Sequence, residues 1–224
     1  DLAPPPVKQV ALEHQLKVLQ PDRVRASEFE KALRDLRPDL IVTAAYGRIL
    51  PPQILSIPPF GCLNVHASLL PAYRGAAPVQ WCLIRGEEET GVTLILMDEG
   101  MDTGPILAQK RMAIPPDINA GELSDRLAVL GADLLSEVIP RWLNGEIKPR
   151  PQDPQEGFAV PMIKPEDGKI DWNQSALAIH NRVRGLNPRP GAYTELNGKR
   201  LKIYRTRLCS KKEILEAASG LMPG

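Results

Sequence analysis

Short apolar runs rich in β-branched residues alternate along this chain with stretches of helical period, and that alternation restricts it to an open α/β sheet. Asp39–Gly47 (Asp-Leu-Ile-Val-Thr-Ala-Ala-Tyr-Gly) has almost no polar interruption, the pattern of a strand buried on both faces in a mostly parallel sheet. Cys62–His66, Gly91–Met97 and Pro105–Ile114 read as the next three strands. Between them, residues 28–37 place Phe29, Leu33 and Leu36 on one helical face before Pro38 stops the helix. Residues 51–60 hold four prolines and predict a turn or a single helical turn, and residues 76–86 predict a helix ending near Gly86. The strongest helix starts at Asn119, with Glu122 three residues on as in a capping box. Leu123, Leu127, Leu130, Leu134, Val138 and Leu143 follow at helical spacing, and Gly145 ends it. A shorter helix is expected after the prolines at the start, carrying Val7, Val10, Ala11 and Leu16.

Pro149, Pro151, Pro154, Pro161 and Pro165 break the pattern. They define an expected linker over 148–167 between a catalytic domain (1–147) and a second, β-rich domain (168–224). In the latter, a helix starts at Asp171 with Ala178, Ile179 and Val183 on its inner face. A hairpin then turns at Asn197-Gly198. With 43% apolar residues in 224 the chain can bury a core, and 4% aromatics leave the packing to aliphatic side chains. A formal charge of +1 excludes a wholly basic nucleic-acid coat, so any basic function is local. Cys62, Cys82 and Cys209 lack metal-ligand spacing and suit a reducing compartment. No apolar run approaches the roughly 20 residues of a membrane span. The first residues have neither the features of a secretory signal nor an initiator Met, as expected of a chain that begins inside a longer one.

Asn64 and His66 lie two apart on a predicted strand and so share a face. At the carboxyl end of such a strand they occupy the usual ligand edge of an open α/β sheet. Asp102, in the glycine-bearing segment Met97–Gly104, sits just past another strand. An amide, an imidazole and a carboxylate suit acyl transfer to an amine. The first two stabilise the developing oxyanion, the imidazole moves the proton, and the carboxylate orients the ring. Ser68 lacks the strand–turn–helix motif of a serine nucleophile. Plainer readings stand beside these: Asn64-x-His66 as packing, Asp102 as a turn former, His180 as a structural helix residue, and His14 without a partner. Tyr73-Arg74 can be a solvated loop, and the seven basic residues from Lys199 to Lys212 the polar face of a hairpin. Cys62, His66 and Cys82 do not have the spacing of a metal site.

The long stretch Gly61-Cys-Leu-Asn-Val-His-Ala-Ser-Leu-Leu-Pro-Ala-Tyr-Arg-Gly-Ala-Ala-Pro-Val-Gln80 resembles the signature of the formyltransferase family. So do Glu89–Thr93 and Asp98-Glu-Gly-Met-Asp-Thr-Gly104. The likeness is greatest to the branch that acts on methionyl-tRNA, and it runs along nearly the whole chain. It implies a Rossmann-like sheet with helices on both faces and a second, small OB-like β-barrel domain, present in part. It implies formyl transfer from 10-formyltetrahydrofolate to the α-amino group of methionyl initiator tRNA, with no metal. Asn64, His66 and Asp102 match the family's catalytic residues. Ser68, Leu69, Leu70 and Pro71 match its folate-binding segment, and Tyr46, Leu50, Met97, Asp98 and Gly100 its pterin cleft. Arg74, Lys199, Arg200, Lys202 and Arg205 are the expected tRNA contacts. A monomer is expected, without membrane partners, in the cytoplasm or the matrix of a bacterial-type organelle. The family's first βα unit, its tRNA-probing loop and the end of its barrel find no match here, which is expected to leave a sheet edge open. Two alternatives keep parts of this reading: transfer to a small amine (a nucleotide sugar or glycinamide ribonucleotide), and a non-catalytic RNA-binding fragment.

Overall fold

The computed structural model describes residues 4–210. Lys211, Lys212 and the rest of the second predicted domain's end lie outside the described residues, as do residues 1–3. Helices α1 (Pro6–Glu13) and α2 (Ser27–Leu36) precede strand β1 (Ile41–Ala44), the single turn α3 (Pro52–Leu55) and β2 (Cys62–His66). The short β3 (Arg74–Gly75), α4 (Pro78–Arg85), β4 (Glu89–Leu96), β5 (Ile106–Ala113) and the long α5 (Ala120–Leu143) follow. The remaining elements are β6 (Ala159–Val160), a 3-10 turn at Pro165–Gly168, α6 (Ala176–Leu186), β7 (Ala192–Leu196) and β8 (Lys199–Ile203).

The central sheet has the order β1-β2-β4-β5. Its β1/β2 pair is parallel, whereas β4 runs antiparallel to both β2 and β5. The open α/β class therefore holds, and among the described residues the sheet is mixed. The short 97–105 loop is one reason, since only antiparallel neighbours can be joined so directly. The expectation that β1 is buried on both faces does not hold: Val42 is 38% exposed and Ala44 is also exposed. Among the described strands, β1 pairs only with β2 and forms an edge.

Both faces carry helices. Leu63, Val92 and Leu94 pack under α5 against Leu123, Leu127, Leu134 and Val138. Gly131 lets that helix come close, because a Cβ there would stand 2.9 Å from Val65 Cγ1. The α5 start is the expected capping box: Glu122 N donates to Asn119 Oδ1, and Asn119 N to Glu122 Oε2, each at 3.0 Å. On the other face Cys62 and Ile41 pack with Leu50, Ile54, Phe29 and Leu33. Leu36, expected on the same buried face of α2, is instead 49% exposed, being at the helix's last turn.

The second unit docks through α6 on α4, so closely that a Cβ on Gly185 would meet Ile84 Cγ1 at 2.8 Å. Its helix starts later than expected, at Ala176 after the N-cap Ser175, because Asp171 organises a turn with Asn173 and Gln174 first. Asn197 and Gly198 both take positive φ (50° and 71°), as a tight hairpin turn requires. Among the described residues this hairpin, with Ile170 N donating to Tyr193 O at 2.8 Å, is all there is of the expected barrel. Residues 148–167 do not hang free; they lie along the first unit through β6, which pairs with β3.

Candidate active site

Asn64 and His66 do share a face of β2, the one that also carries Cys62. Because β4 is antiparallel to β2, the 97–105 loop begins at the amino end of β2, where Met97 N donates to Cys62 O at 2.7 Å. It then folds back over the strand's face. His66 is the last residue of β2, so the pair does lie at the strand's carboxyl end as expected, and the returning loop brings Asp102 to the face they share. Asp102 holds a left-handed backbone (φ 56°), a conformation Asp tolerates better than most residues.

The carboxylate of Asp102 is the hub. Its Oδ1 accepts from Asn64 Nδ2 at 3.3 Å and its Oδ2 from the Gly75 N–H at 2.9 Å. Oδ2 also lies 3.6 Å from His66 Nδ1. The imidazole is only 6% exposed, and its Nε2 meets the Tyr73 carbonyl at 2.9 Å. A carbonyl only accepts, so Nε2 carries a proton and Nδ1 is the nitrogen left to exchange one. Thr43, opposite Asn64 on β1, donates to Asn64 Oδ1 at 2.8 Å, which turns the amide nitrogen toward Asp102. Tyr73, also left-handed (φ 61°), is anchored by its hydroxyl on the Glu87 carboxylate. Burial first, and Glu87 next, push that phenol's pKa well up, so the hydroxyl stays protonated as a donor.

The other expected residues divide. Asp98 Oδ1 accepts from Gly100 N (3.0 Å) and Thr103 Oγ1 (2.7 Å), shaping the loop that carries Asp102. Met97 reaches the cluster, its sulfur 3.3 Å from Thr43 Oγ1. Tyr46 is exposed on the loop after β1, whereas Leu50 is buried beneath α3. Ser68 and Leu70 face inward: the Ser68 hydroxyl donates to Ala72 O at 2.8 Å, and Leu70 is 3% exposed. Leu69 and Pro71 between and beside them are half-buried. Arg74 is engaged internally, donating from Nε (3.1 Å) and Nη2 (2.8 Å) to Gln152 Oε1. In the hairpin, Arg200 and Lys202 lie on one face, where Arg200 stacks 3.7 Å over the Tyr193 ring, while Lys199 is on the other. Arg205 is exposed beside a cavity of about 310 Å³ between α5 and α6, which none of Asn64, His66 and Asp102 lines. His180 is buried there, with Nδ1 3.0 Å from Thr206 Oγ1.

Sequence reading missed Thr43, the Tyr73 carbonyl, the Gly75 N–H and Gln152. Thr43 left one usable signal, a hydroxyl inside an otherwise apolar run. The two backbone groups left none.

Comparison with known proteins bears on this geometry. The family model described as "Formyl transferase" matches residues 2–139, and that described as "Formyl transferase, C-terminal domain" matches residues 162–224. A protein of Pelobacter propionicus named methionyl-tRNA formyltransferase is 54% identical over 207 residues, 92% of this chain and 65% of that one. One of the same name from Ruminiclostridium cellulolyticum is 48% identical over 205 residues, 92% of this chain and 66% of that one. This chain therefore spans about two thirds of the length of these relatives. Among solved structures, a sugar N-formyltransferase from Shewanella aligns with TM-score 0.72 at 21% identity, over 90% of this chain and 81% of that one. HypX from Aquifex aeolicus in complex with tetrahydrofolic acid aligns with TM-score 0.70 at 21% identity, over 87% of this chain and 34% of that one. At such identities these two structures speak for the fold alone.

Proposed function

The chain belongs to the formyl transferase family, and from that premise we propose that the protein moves a formyl group from 10-formyltetrahydrofolate to the α-amino group of methionyl initiator tRNA. The observation that carries the reading is the meeting of Asn64 and His66 of β2 with Asp102 of the 97–105 loop at one sheet face. The proteins of about 50% identity named methionyl-tRNA formyltransferase support the choice of acceptor.

The residues fit a folate co-substrate. Tyr46 and Ile49 on the loop after β1 and Met101 on the loop after β4 are exposed apolar side chains, of the kind that pack on a flat bicyclic ring. Asn64 Nδ2 has a second N–H beyond the one given to Asp102, and it stabilises the oxyanion as the amine nitrogen bonds to the formyl carbon. His66 Nδ1 takes the proton released by that nitrogen, and Asp102 stabilises the resulting imidazolium. The same proton then passes to the folate nitrogen as its bond to the formyl carbon breaks, which restores neutral His66 and leaves tetrahydrofolate. No covalent enzyme intermediate is needed, consistent with the inward-facing Ser68 hydroxyl.

In this reading residues 1–147 carry the chemistry, 148–167 cross over, and 168–224 help to hold tRNA through Lys199, Arg200, Lys202 and Arg205. Phosphate contacts of this kind supply non-specific affinity. The protein acts as a monomer in the cytoplasm or in a bacterial-type organelle matrix. The test is formylation of methionyl-tRNA by the full-length protein with 10-formyltetrahydrofolate, alongside a parallel assay with a nucleotide amino sugar. Transfer to the tRNA is expected; folate binding without transfer to tRNA, or transfer to the sugar alone, overturns the reading.

A further inference from the structure

The segment after α5 is stitched along the active-site wall. Arg150 and Ile106 exchange both backbone hydrogen bonds, at 2.7 and 2.8 Å. Further on, Arg74 N donates to Phe158 O at 3.0 Å, and Trp81 Nε1 to Pro161 O at 2.9 Å. The Phe158 ring packs edge-on against Tyr73, centroids 4.8 Å apart, and Arg85 lies over both rings. Between these anchors the Gln152 side chain enters the wall itself. Its Nε2 donates to the carbonyls of Asp102 (2.9 Å) and Gly104 (2.7 Å). Its Oε1 accepts twice from Arg74.

All four hydrogen-bonding positions of this amide are filled, two donors on carbonyls and two lone pairs on a guanidinium. A flipped amide would set N–H against N–H and oxygen against oxygen, so Gln152 has one orientation. It clamps the backbone on either side of Thr103, in the loop where Asp102 is left-handed and Gly100 and Gly104 offer no restraint of their own. On the far side the strap packs on Tyr73, whose carbonyl holds His66. Both His66 and the carboxylate beside it are thus held from one crossing segment.

We propose that Gln152 is a positioning residue that acts through Asp102, and that the crossing segment is part of the catalytic apparatus and not a tether. The inference rests on the proposed formyl transfer. In the full-length protein, Gln152→Ala is expected to lower kcat about 10- to 100-fold, since displacements near 1 Å at a reacting group cost about that much. The KM values for both substrates should stay within about twofold. Combined with Asp102→Asn, Gln152→Ala should add almost nothing, because the two changes remove one shared function. Gln152→Glu conserves size and the Arg74 contact while facing the two carbonyls with an oxygen; it should lose activity comparably, and it supplies the same comparisons if the alanine variant does not fold. Unchanged kcat, or losses that multiply in the double variant, overturn the proposal. A readout independent of turnover is the ¹⁵N shift of the His66 ring nitrogens without substrate, which should move in either Gln152 variant; unmoved shifts overturn the proposal as well. If the wild-type protein transfers no formyl group, the reaction fails as a reading, while the ring shifts still decide the role of Gln152.

Discussion

Asp102→Asn probes the hub of the site without changing its volume. Asn adopts a left-handed backbone as readily as Asp, so the loop path should survive. The charge does not. Asp102 Oδ2 lies 3.6 Å from His66 Nδ1. At that distance a full imidazolium–carboxylate pair is worth about 4.6 kcal/mol for an effective dielectric of about 20, and about half that where solvent screens more. In the proposed mechanism His66 takes the amine's proton in the step where the formyl group is transferred, so the loss should appear in kcat. A loss of about 2–4.6 kcal/mol is about 30- to 2,000-fold. Stability should fall too, for a separate reason. Both carboxylate oxygens accept from N–H groups, Asn64 Nδ2 and Gly75 N. An amide has one such oxygen, so one N–H then faces another donor, at about 1–3 kcal/mol. In a chain of this size that lowers Tm by about 2–12 °C. Single-turnover formyl transfer and a thermal melt on the same preparation measure the two effects. A rate within about threefold of wild type refutes the charge argument, and an unaltered Tm refutes the hydrogen-bond assignment.

Asn64→Ala removes the amide donor and should reduce kcat by about 10²–10³-fold with little change in folate affinity, measured by steady-state kinetics and fluorescence titration. Gly104→Ala would place a Cβ 1.9 Å from the Leu96 carbonyl oxygen, which is backbone and cannot swing aside. A loss of at least about 1–3 kcal/mol is expected in denaturant unfolding. Burial pushes both Cys62 and Cys82 up from about 9 to about 11, so of these three thiols a reagent at pH 8 should label the exposed Cys209 and spare the other two in the native fold, as peptide mapping of the label checks. The folded thiols retain protons that the unfolded chain releases, so their contribution is intact below about pH 9 and lost as pH rises to about 11 in melts across that range. Lys202→Ala should weaken tRNA binding and lower the slope of log affinity against log salt by about 1, in a filter-binding titration.

Local signals determined much of this protein. The α5 helix was legible because its cap, period and stop lie within a few residues of one another, and the β7/β8 turn because Asn197-Gly198 admits few other paths. The shared face of Asn64 and His66 followed from the two-residue period of a strand. The formyltransferase family was legible too, since its motifs are long continuous stretches around those residues. Tertiary structure decided what depends on distant partners. The antiparallel course of β4 puts the Asp102 loop over the face of β2, and no residue of β4 announces its direction. Exposure of Val42 depends on which strands lie beside β1, not on its own apolar neighbours. The grip on His66 and Asp102 comes from the Tyr73 carbonyl, the Gly75 N–H and Gln152. Every residue has a carbonyl and nearly every one an N–H, so composition cannot mark the ones a site uses. Gln152 stands 50 residues from Asp102 in a proline-rich segment that reads as a spacer. Only the closing of that distance, with all four hydrogen-bonding positions of its amide filled, turns the spacer into a wall of the site.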